Sequence, residues 1–400
     1  MMKKKLIRIT TVPLSLEKLL EGQLSFMQKY FKVTAIAADA PRLDKFGKEN
    51  KVAVFPLEMT RQITPLKDLK ALLKLYRYLK KEKPTVVHTH TPKAGILGML
   101  ASKLTGVPIR LHTVAGLPLM EITGKKRWLL NQVEKLTYAC ATKVYPNSTG
   151  LYDFILKEKF TSPKKLKIIG QGSSNGIDTD YFYPKIYDDP QKESLRKELN
   201  IKQNDFVFVF VGRLVGDKGI NELVLAFTHI SESRVPTTTH NSPLSTQKLL
   251  LVGPFESELD PLKPETLHQI ENNPDIISVG FQQDVRPYLA ISDALVFPSY
   301  REGFPNVVMQ AGAMGLPSIV SDINGCNEII NEGKNGLIVS PKNISELQKA
   351  MDLLIQNKPL YQQLKANARP MIVERYQREE VWQALLKEYQ RLLKEKGLGE

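Results

Sequence analysis

The residues best suited to chemistry fall in two stretches of the second half. The first is VGRLVGDKG (211–219). An apolar run ends there, Gly212, Arg213, Gly216, Lys218 and Gly219 follow, and a helical period begins. Glycines let a backbone approach a ligand closely. Two cations beside a helix N-terminus make an anion site, and a diphosphate suits it. A solvated turn could carry the same residues. The stretch matches neither G-x-G-x-x-G nor G-x4-G-K-[ST], the two common phosphate-loop patterns. The second stretch is FPSYREGFPNVVMQAGAMGLPSIVSD (297–322). Here Glu302, Gly303, Phe304, Pro305 and Asn306 open an apolar helix, and Gly315 and Pro317 close it. Such a helix start offers unpaired N–H donors beside a carboxylate. Glu328 follows shortly after.

Histidines gather in the first half: His88 and His90 in VVHTHTPKAG, His112 in RLHTVAG. All three lie in strands, near the carboxyl ends where α/β proteins place ligands. His88 alternatively serves only to cap its strand. A metal needs a third ligand at a suitable spacing, and no Cys/His spacing supplies one, so no metal site is expected. Asp178-Thr179-Asp180 spells D-x-D but lies outside a strand–loop setting. It reads as an interdomain loop, with no required divalent ion.

These residues need strands to carry them. KLIRITT (5–11), KVTAIAA (32–38), KVAVFPL (51–57), TVVHTH (85–90), PIRLHTV (108–114) and TKVYPNS (142–148) read as strands alternating with helices. DFVFVFVG (205–212), QKLLLVG (247–253), IISVGF (276–281), ALVFPS (294–299) and PSIVSD (317–322) repeat the pattern. Near-continuous apolar runs suit parallel strands buried on both faces. Two tandem Rossmann-like units follow, of class α/β. Boundaries are expected at 1–185, 186–376 and 377–400, the last a helix that packs back on the first domain. In residues 66–83 the spacing of Leu66, Leu69, Leu72, Leu73, Tyr76 and Leu79 predicts a helix, with Lys67, Lys70, Lys74, Arg77, Lys80 and Lys81 on the remaining face. SESRVPTTTHNSPLSTQ (231–247) reads as an inserted surface loop.

Four hundred residues accommodate two domains, and 42% hydrophobic with 24% charged residues excludes a mainly disordered chain. Two cysteines cannot build a disulfide framework, so a reducing compartment is expected. No signal-peptide core or membrane span is read in the sequence. The net charge of +14 is uneven: residues 1–200 hold 36 basic and 18 acidic residues, residues 201–400 hold 20 and 24. The first half therefore faces something anionic, or carries a solvated lysine surface. No helix-turn-helix, zinc finger or aromatic RNA-binding signature points to nucleic acid.

Taken in order, these motifs resemble a known family. The Arg213/Lys218 pair, DALVFPSYREGFP (293–305), GLP (315–317), EIINEGKNG (328–336) and NGID-x3-F (175–182) match the retaining GT-B glycosyltransferases of family 4, glycosyltransferase group 1. The resemblance spans nearly the whole chain and is strongest to bacterial enzymes of capsule, O-antigen and lipid-linked oligosaccharide synthesis. It implies two Rossmann-like domains facing across a cleft. It implies transfer of a sugar from a nucleotide sugar, UDP-linked by family frequency, to a lipid-linked or saccharide acceptor with retention. No cofactor or metal is implied.

By resemblance, Arg213 and Lys218 bind the diphosphate and stabilise the leaving group. Glu302 faces the donor sugar, and Gly212 and the Gly303–Asn306 backbone contact the donor. His112 reaches the sugar from the first domain, and His88 and His90 line the acceptor cleft. Gln310 stands where the family has a second glutamate toward the ribose, and an amide can still bond ribose hydroxyls. The glycine-rich loop often found after the first strand is replaced by TTVPLSLEKLLEGQ (10–23). The basic first half fits an acceptor that carries diphosphate on a polyprenyl lipid, which places the expected enzyme peripherally on the inner face of the cell membrane, against anionic headgroups. The helix of 66–83 and Lys125-Lys126-Arg127 are the expected contacts. Competing readings are a nucleotide-sugar epimerase of similar fold and a catalytically silent sugar-nucleotide-binding subunit.

Overall fold

The computed structural model describes residues 3–60, 62–117, 119, 122–232, 246–256, 258 and 260–399. Most of the loop expected at 231–247 lies outside the described residues. The chain divides into two compact units: residues 1–176 with 378–400, and residues 177–377. The first unit therefore ends earlier than position 185. Ile177 already belongs to the second core, and its N–H bonds the Tyr376 carbonyl at 2.8 Å.

The first unit holds six parallel strands: β1 Lys5–Ile9, β2 Lys32–Ala37, β3 Ala53–Pro56, β4 Val86–His90, β5 Ile109–Val114 and β6 Lys143–Pro146. Their order is β3-β2-β1-β4-β5-β6, with Leu6 paired to Val33 on one side and to Val86 on the other. The strand order reverses between β1 and β4, the kind of point where such sheets bind ligands at their carboxyl edge.

Two apolar clusters cover the two faces. One packs the helices Pro65–Glu82, Pro92–Leu104, Gly124–Cys140 and Thr149–Lys157. The other packs the helices before β3 together with the last helix, Arg378–Glu395, which presents Trp382, Leu385, Leu386, Tyr389, Leu392 and Leu393. The expected return of the C-terminal helix onto the first unit is present. Burying this apolar stripe holds it there, at roughly 2 kcal/mol per large side chain.

The helix Pro65–Glu82 forms for local reasons. Pro65 occupies its first turn, the Asp68 carboxylate accepts from the Thr64 N–H at 3.2 Å and from its hydroxyl at 3.1 Å, and left-handed Lys83 ends it before Pro84. Its core face corrects the sequence reading. Ala71, Leu75 and Leu79 are buried, while Leu66, Leu69 and Leu73 point to solvent. Leucines stand on both sides of this helix, so periodicity alone selected the wrong stripe at its start.

The second unit repeats the architecture. β7 Phe206–Val211, β8 Gln247–Val252, β9 Ile276–Ser278, β10 Ala294–Phe297, β11 Ser318–Ser321 and β12 Gly336–Val339 form a parallel sheet ordered β12-β11-β10-β7-β8-β9. β7 and β10 lie side by side, Ala294 opposite Phe208. Both strands are apolar throughout because helices cover both faces. This adjacency brings the two chemistry-bearing stretches together.

Candidate active site

β7 delivers the chain into the loop 212–219, and β10 delivers it into 298–305. The loops are stitched by backbone: the Tyr300 N–H donates to the Asp217 carbonyl at 2.9 Å. Gly219 has φ 72°, and a Cβ there would stand 2.2 Å from the Pro298 carbonyl oxygen. Both the left-handed conformation and the close approach require glycine.

The stitch places Lys218 Nζ 2.5 Å from Glu302 Oε1, with both side chains less than one-fifth exposed. The buried Ser299 hydroxyl lies 3.2 Å from the same carboxylate oxygen and 3.5 Å from Lys218 Nζ. Arg213, in the same loop, pairs instead with Glu256 at 2.8 Å. Asp217 is held from both sides: Arg301 reaches its carboxylate at 2.9 Å, and the Asp260 carboxylate accepts its N–H at 2.5 Å.

The next residues shape a donor-rich edge. Asn324 Nδ2 donates to the carbonyls of Glu302 at 3.0 Å and Gly303 at 2.6 Å. Gly325 has φ 78°, and a Cβ there would stand 2.6 Å from the Gly303 carbonyl. The helix Asn306–Ala313 then starts with no side chain capping it. Its first N–H groups are available to an anion. Phe304 turns inward, its ring 5.4 Å from Tyr376, and Pro305 is buried, so these two offer backbone rather than side chains. Asn306 is exposed, and Gln310 lies half-buried one turn into the helix. The Glu328 carbonyl accepts from Arg375 at 3.0 Å and from the Tyr376 hydroxyl at 3.1 Å.

Lys218, Glu302 and the 303–306 backbone thus converge as the motifs predict. Ser299, Asp217 and Asn324 were not singled out from sequence. Ser299 and Asp217 lie inside the quoted motifs and Asn324 just after one, but their part depends on which strands are neighbours.

The first-unit histidines are placed differently. His88 is fully buried, with Nδ1 2.6 Å from the Tyr389 hydroxyl and Nε2 2.7 Å from the Thr113 hydroxyl. Both nitrogens are engaged, which corrects the expectation that His88 lines a cleft: it ties β4 to the C-terminal helix. His112 lies within β5, Nδ1 2.8 Å from the Thr89 hydroxyl, and Gly95 approaches so closely that a Cβ would stand 2.6 Å from the ring. Burial lowers its pKa to about 4.

His90 Nε2 lies 2.7 Å from an Arg8 guanidinium nitrogen. A guanidinium only donates, so Nε2 accepts and Nδ1 carries the proton. Nδ1 has no protein partner, and His90 lines a cavity of about 20 Å³ together with Asn147 and Ser174. Burial, then the Arg8 charge, hold His88 and His90 well below the usual histidine range. Arg8 is itself fully buried, donating to Gln23 at 2.6 Å and to the Tyr389 hydroxyl at 3.0 Å. The sequence reading passed over it as one residue of a strand.

Among the described residues no three His, Cys, Asp or Glu side chains are grouped to hold a metal. No helix there is long and apolar enough to cross a membrane.

Two family models match the chain. "Glycosyl transferases group 1" covers residues 191–371, and "Glycosyl transferase 4-like domain" covers 29–172. The chain is 31% identical over 397 residues to the Staphylococcus aureus capsular polysaccharide biosynthesis glycosyltransferase CapM, covering 99% of each. It is 31% identical over 332 residues to an Escherichia coli UDP-Gal:alpha-D-GlcNAc-diphosphoundecaprenol alpha-1,3-galactosyltransferase, covering 82% of this chain and 81% of that one. Among solved structures, a Rickettsia africae glycosyltransferase superposes with TM-score 0.79 at 19% identity, covering 98% and 99%. Anabaena HepE in complex with UDP gives 0.77 at 18%, covering 97% and 99%. Paired parallel sheets, the ordered motifs and full-length similarity agree, and they select a transferase over an epimerase of related fold: the chain belongs to the group 1 glycosyltransferases, family 4 of the GT-B enzymes.

Proposed function

We propose that this glycosyltransferase moves a hexose-type sugar from a UDP-linked donor, with retention, to a lipid-linked diphosphate or saccharide acceptor at the inner face of the cell membrane, in surface polysaccharide synthesis. The observation that carries it is the Lys218–Glu302–Ser299 cluster beside the uncapped start of Asn306–Ala313. An ammonium and free N–H groups favour a diphosphate, and a carboxylate suits sugar hydroxyls. The E. coli relative's name specifies UDP-galactose and a diphosphoundecaprenol acceptor, and HepE was crystallised with UDP and with UDP-glucose.

In this reading the donor diphosphate shares Lys218 with Glu302, and Arg213 supplies a second cation. As the bond between the sugar C1 and the diphosphate oxygen breaks, negative charge grows on that oxygen. Preorganised donors stabilise such charge better than water does. The acceptor hydroxyl attacks C1 on the face the diphosphate leaves, and its proton passes to the departing phosphate oxygen. No carboxylate nucleophile and no metal enters the scheme. Glu302, still sharing Lys218 with the diphosphate, accepts from sugar hydroxyls and positions the ring.

The test is a panel of UDP-, GDP- and TDP-sugars with membrane lipid extract as acceptor and EDTA present. Release of one nucleotide that depends on Lys218 and on the extract supports the reading, and an α-configured product from an α-configured donor supports retention. A covalent glycosyl-enzyme on Glu302 defeats the front-face route. Sugar-nucleotide binding with no turnover on any acceptor favours the silent subunit.

A further inference from the structure

We propose that Glu256 is a positioning residue for the donor: its carboxylate holds Arg213 in the unliganded chain and gives it up to the phosphate farther from the nucleoside. This rests on the proposed nucleotide-sugar donor and adds the group that governs how tightly its diphosphate is kept.

The pairing of β7 with β8 runs on past the ends of both strands. The Gly212 N–H donates to the Val252 carbonyl at 2.9 Å, and the Leu214 N–H donates to the Pro254 carbonyl at 2.8 Å. A Cβ on Gly253 would stand 1.7 Å from the Gly212 carbonyl oxygen, so only glycine admits this approach. Farther along, the Gly216 N–H donates to the Asp260 carbonyl at 3.2 Å. These bonds fix the main chain on either side of Arg213 and bring residue 256 beside it.

The side chains are held far less firmly. Arg213 Nη1 lies 2.8 Å from Glu256 Oε2, and the two side chains are 42 and 33% exposed. Among the described residues this single bond is what holds the guanidinium. Lys218 and Glu302 are by contrast 15 and 19% exposed and share Ser299. Elsewhere in the unit a guanidinium is anchored twice, as where Arg286 meets Asp284 through Nε and Nη2. An exposed ion pair held at one point contributes little to folding, so its placement beside the anion site calls for another reason.

A guanidinium presents a planar fork of N–H donors that matches a phosphate through two parallel bonds. One bond to a carboxylate exchanges readily for two bonds to a group of higher charge. The main chain stays fixed, and only side-chain rotation is needed. When the diphosphate leaves, the carboxylate recovers Arg213 and neutralises it. Glu256 thereby weakens the hold on released nucleotide, while Lys218 keeps its place with Glu302 and Ser299.

The experiment is calorimetric binding of UDP, UMP and inorganic pyrophosphate to the full chain at low salt. Glu256→Gln should bind UDP about three- to tenfold more tightly than wild type. UMP affinity and thermal midpoint should not move, since UMP lacks the phosphate that takes Arg213. Glu256→Asp, which keeps the charge, should keep the wild-type ratio of UDP to UMP affinity. In an Arg213→Gln background, Glu256→Gln should gain less than about twofold, because the two residues act as a pair.

Unchanged UDP affinity in Glu256→Gln overturns the exchange and leaves the donor reading intact. Weaker UDP binding in that variant overturns it too and makes Glu256 a fixed brace for Arg213. A full gain that persists without Arg213 reduces Glu256 to like-charge repulsion and overturns the inference. Wild-type protein that binds pyrophosphate, more tightly in Glu256→Gln, but binds no UDP, GDP or TDP defeats the nucleotide reading and supports the exchange.

Discussion

The two units carry polar residues at the same edge of the same kind of sheet and use them in opposite ways. In the second unit Lys218, Glu302 and Ser299 meet between two loops, partly open to solvent, beside a helix start that no side chain caps. In the first unit His88, His90 and Arg8 lie behind the C-terminal helix, with Tyr389 and Thr113 engaging their polar atoms. A polar residue at a strand end is therefore open to two fates, and what covers it decides between them. The leucine-bearing helix of the first unit is the reverse case: its apolar residues are the uncovered ones.

The sharpest contrast is between Lys218 and His88. Lys218→Ala is expected to lower kcat/KM about 10²–10³-fold while leaving the denaturant midpoint nearly unchanged, because in the proposed reaction the lost ammonium serves the leaving group rather than the fold. Equal loss of stability and activity would place Lys218 with the histidines. Gly219→Ala comes next. A Cβ pressed toward the Pro298 carbonyl should separate the two loops, costing about 2 kcal/mol of stability and about tenfold in kcat/KM.

His88→Ala should cost about 2 kcal/mol in urea unfolding, with kcat/KM per folded molecule retained, since it strips the Thr113 hydroxyl of its imidazole partner and leaves the buried Tyr389 hydroxyl with Arg8 alone. A large fall in kcat/KM without destabilisation would return His88 to a catalytic role.

The pH dependence separates the units more gently. His112 is held at about 4 in the folded chain, against 6.5 as its ordinary value. Between those values the unfolded chain binds more protons, so this stability is complete above 6.5 and is lost as pH falls through about 4. Glu134, pushed up to about 7 by burial, has the opposite slope: its contribution is present below 4.5 and disappears as pH rises through about 7. His112→Gln should therefore flatten the acid limb of stability between pH 6.5 and 4 and leave the Glu134 limb in place. An unchanged acid limb would show that His112 is not buried as described. The smallest effect is on folding at the exposed stripe: Leu66→Ser should change stability by less than about 0.5 kcal/mol, and a larger loss would mean that the stripe packs on something in solution.

Much of this was legible in the residues. FVFVFV and ALVF announce buried parallel strands, and the turn into Gly219 and the glycine-rich exit around Glu302 mark backbone that must bend near a ligand. The C-terminal helix was expected over 377–400, and so was its return to the first unit. Less visible was which leucines of 66–83 face inward, because both faces carry them and only the neighbouring helix chooses. Arg8 was invisible for a related reason: a guanidinium inside a strand is tolerated only where Gln23, His90 and Tyr389 converge on it, and those partners are distant in sequence.

Local spacing thus established the element types, the family and the loops that carry Lys218 and Glu302, since each depends on residues a few positions apart. The tertiary structure decided what local spacing cannot encode: the adjacency of β7 and β10 that joins Lys218 to Glu302, and the helix over His88 that makes a plausible ligand-binding histidine a packing residue. Both follow from one cause. Desolvation and hydrogen-bond partners are set by whatever segment the fold lays on top, and that segment lies hundreds of residues away for His88 and Tyr389.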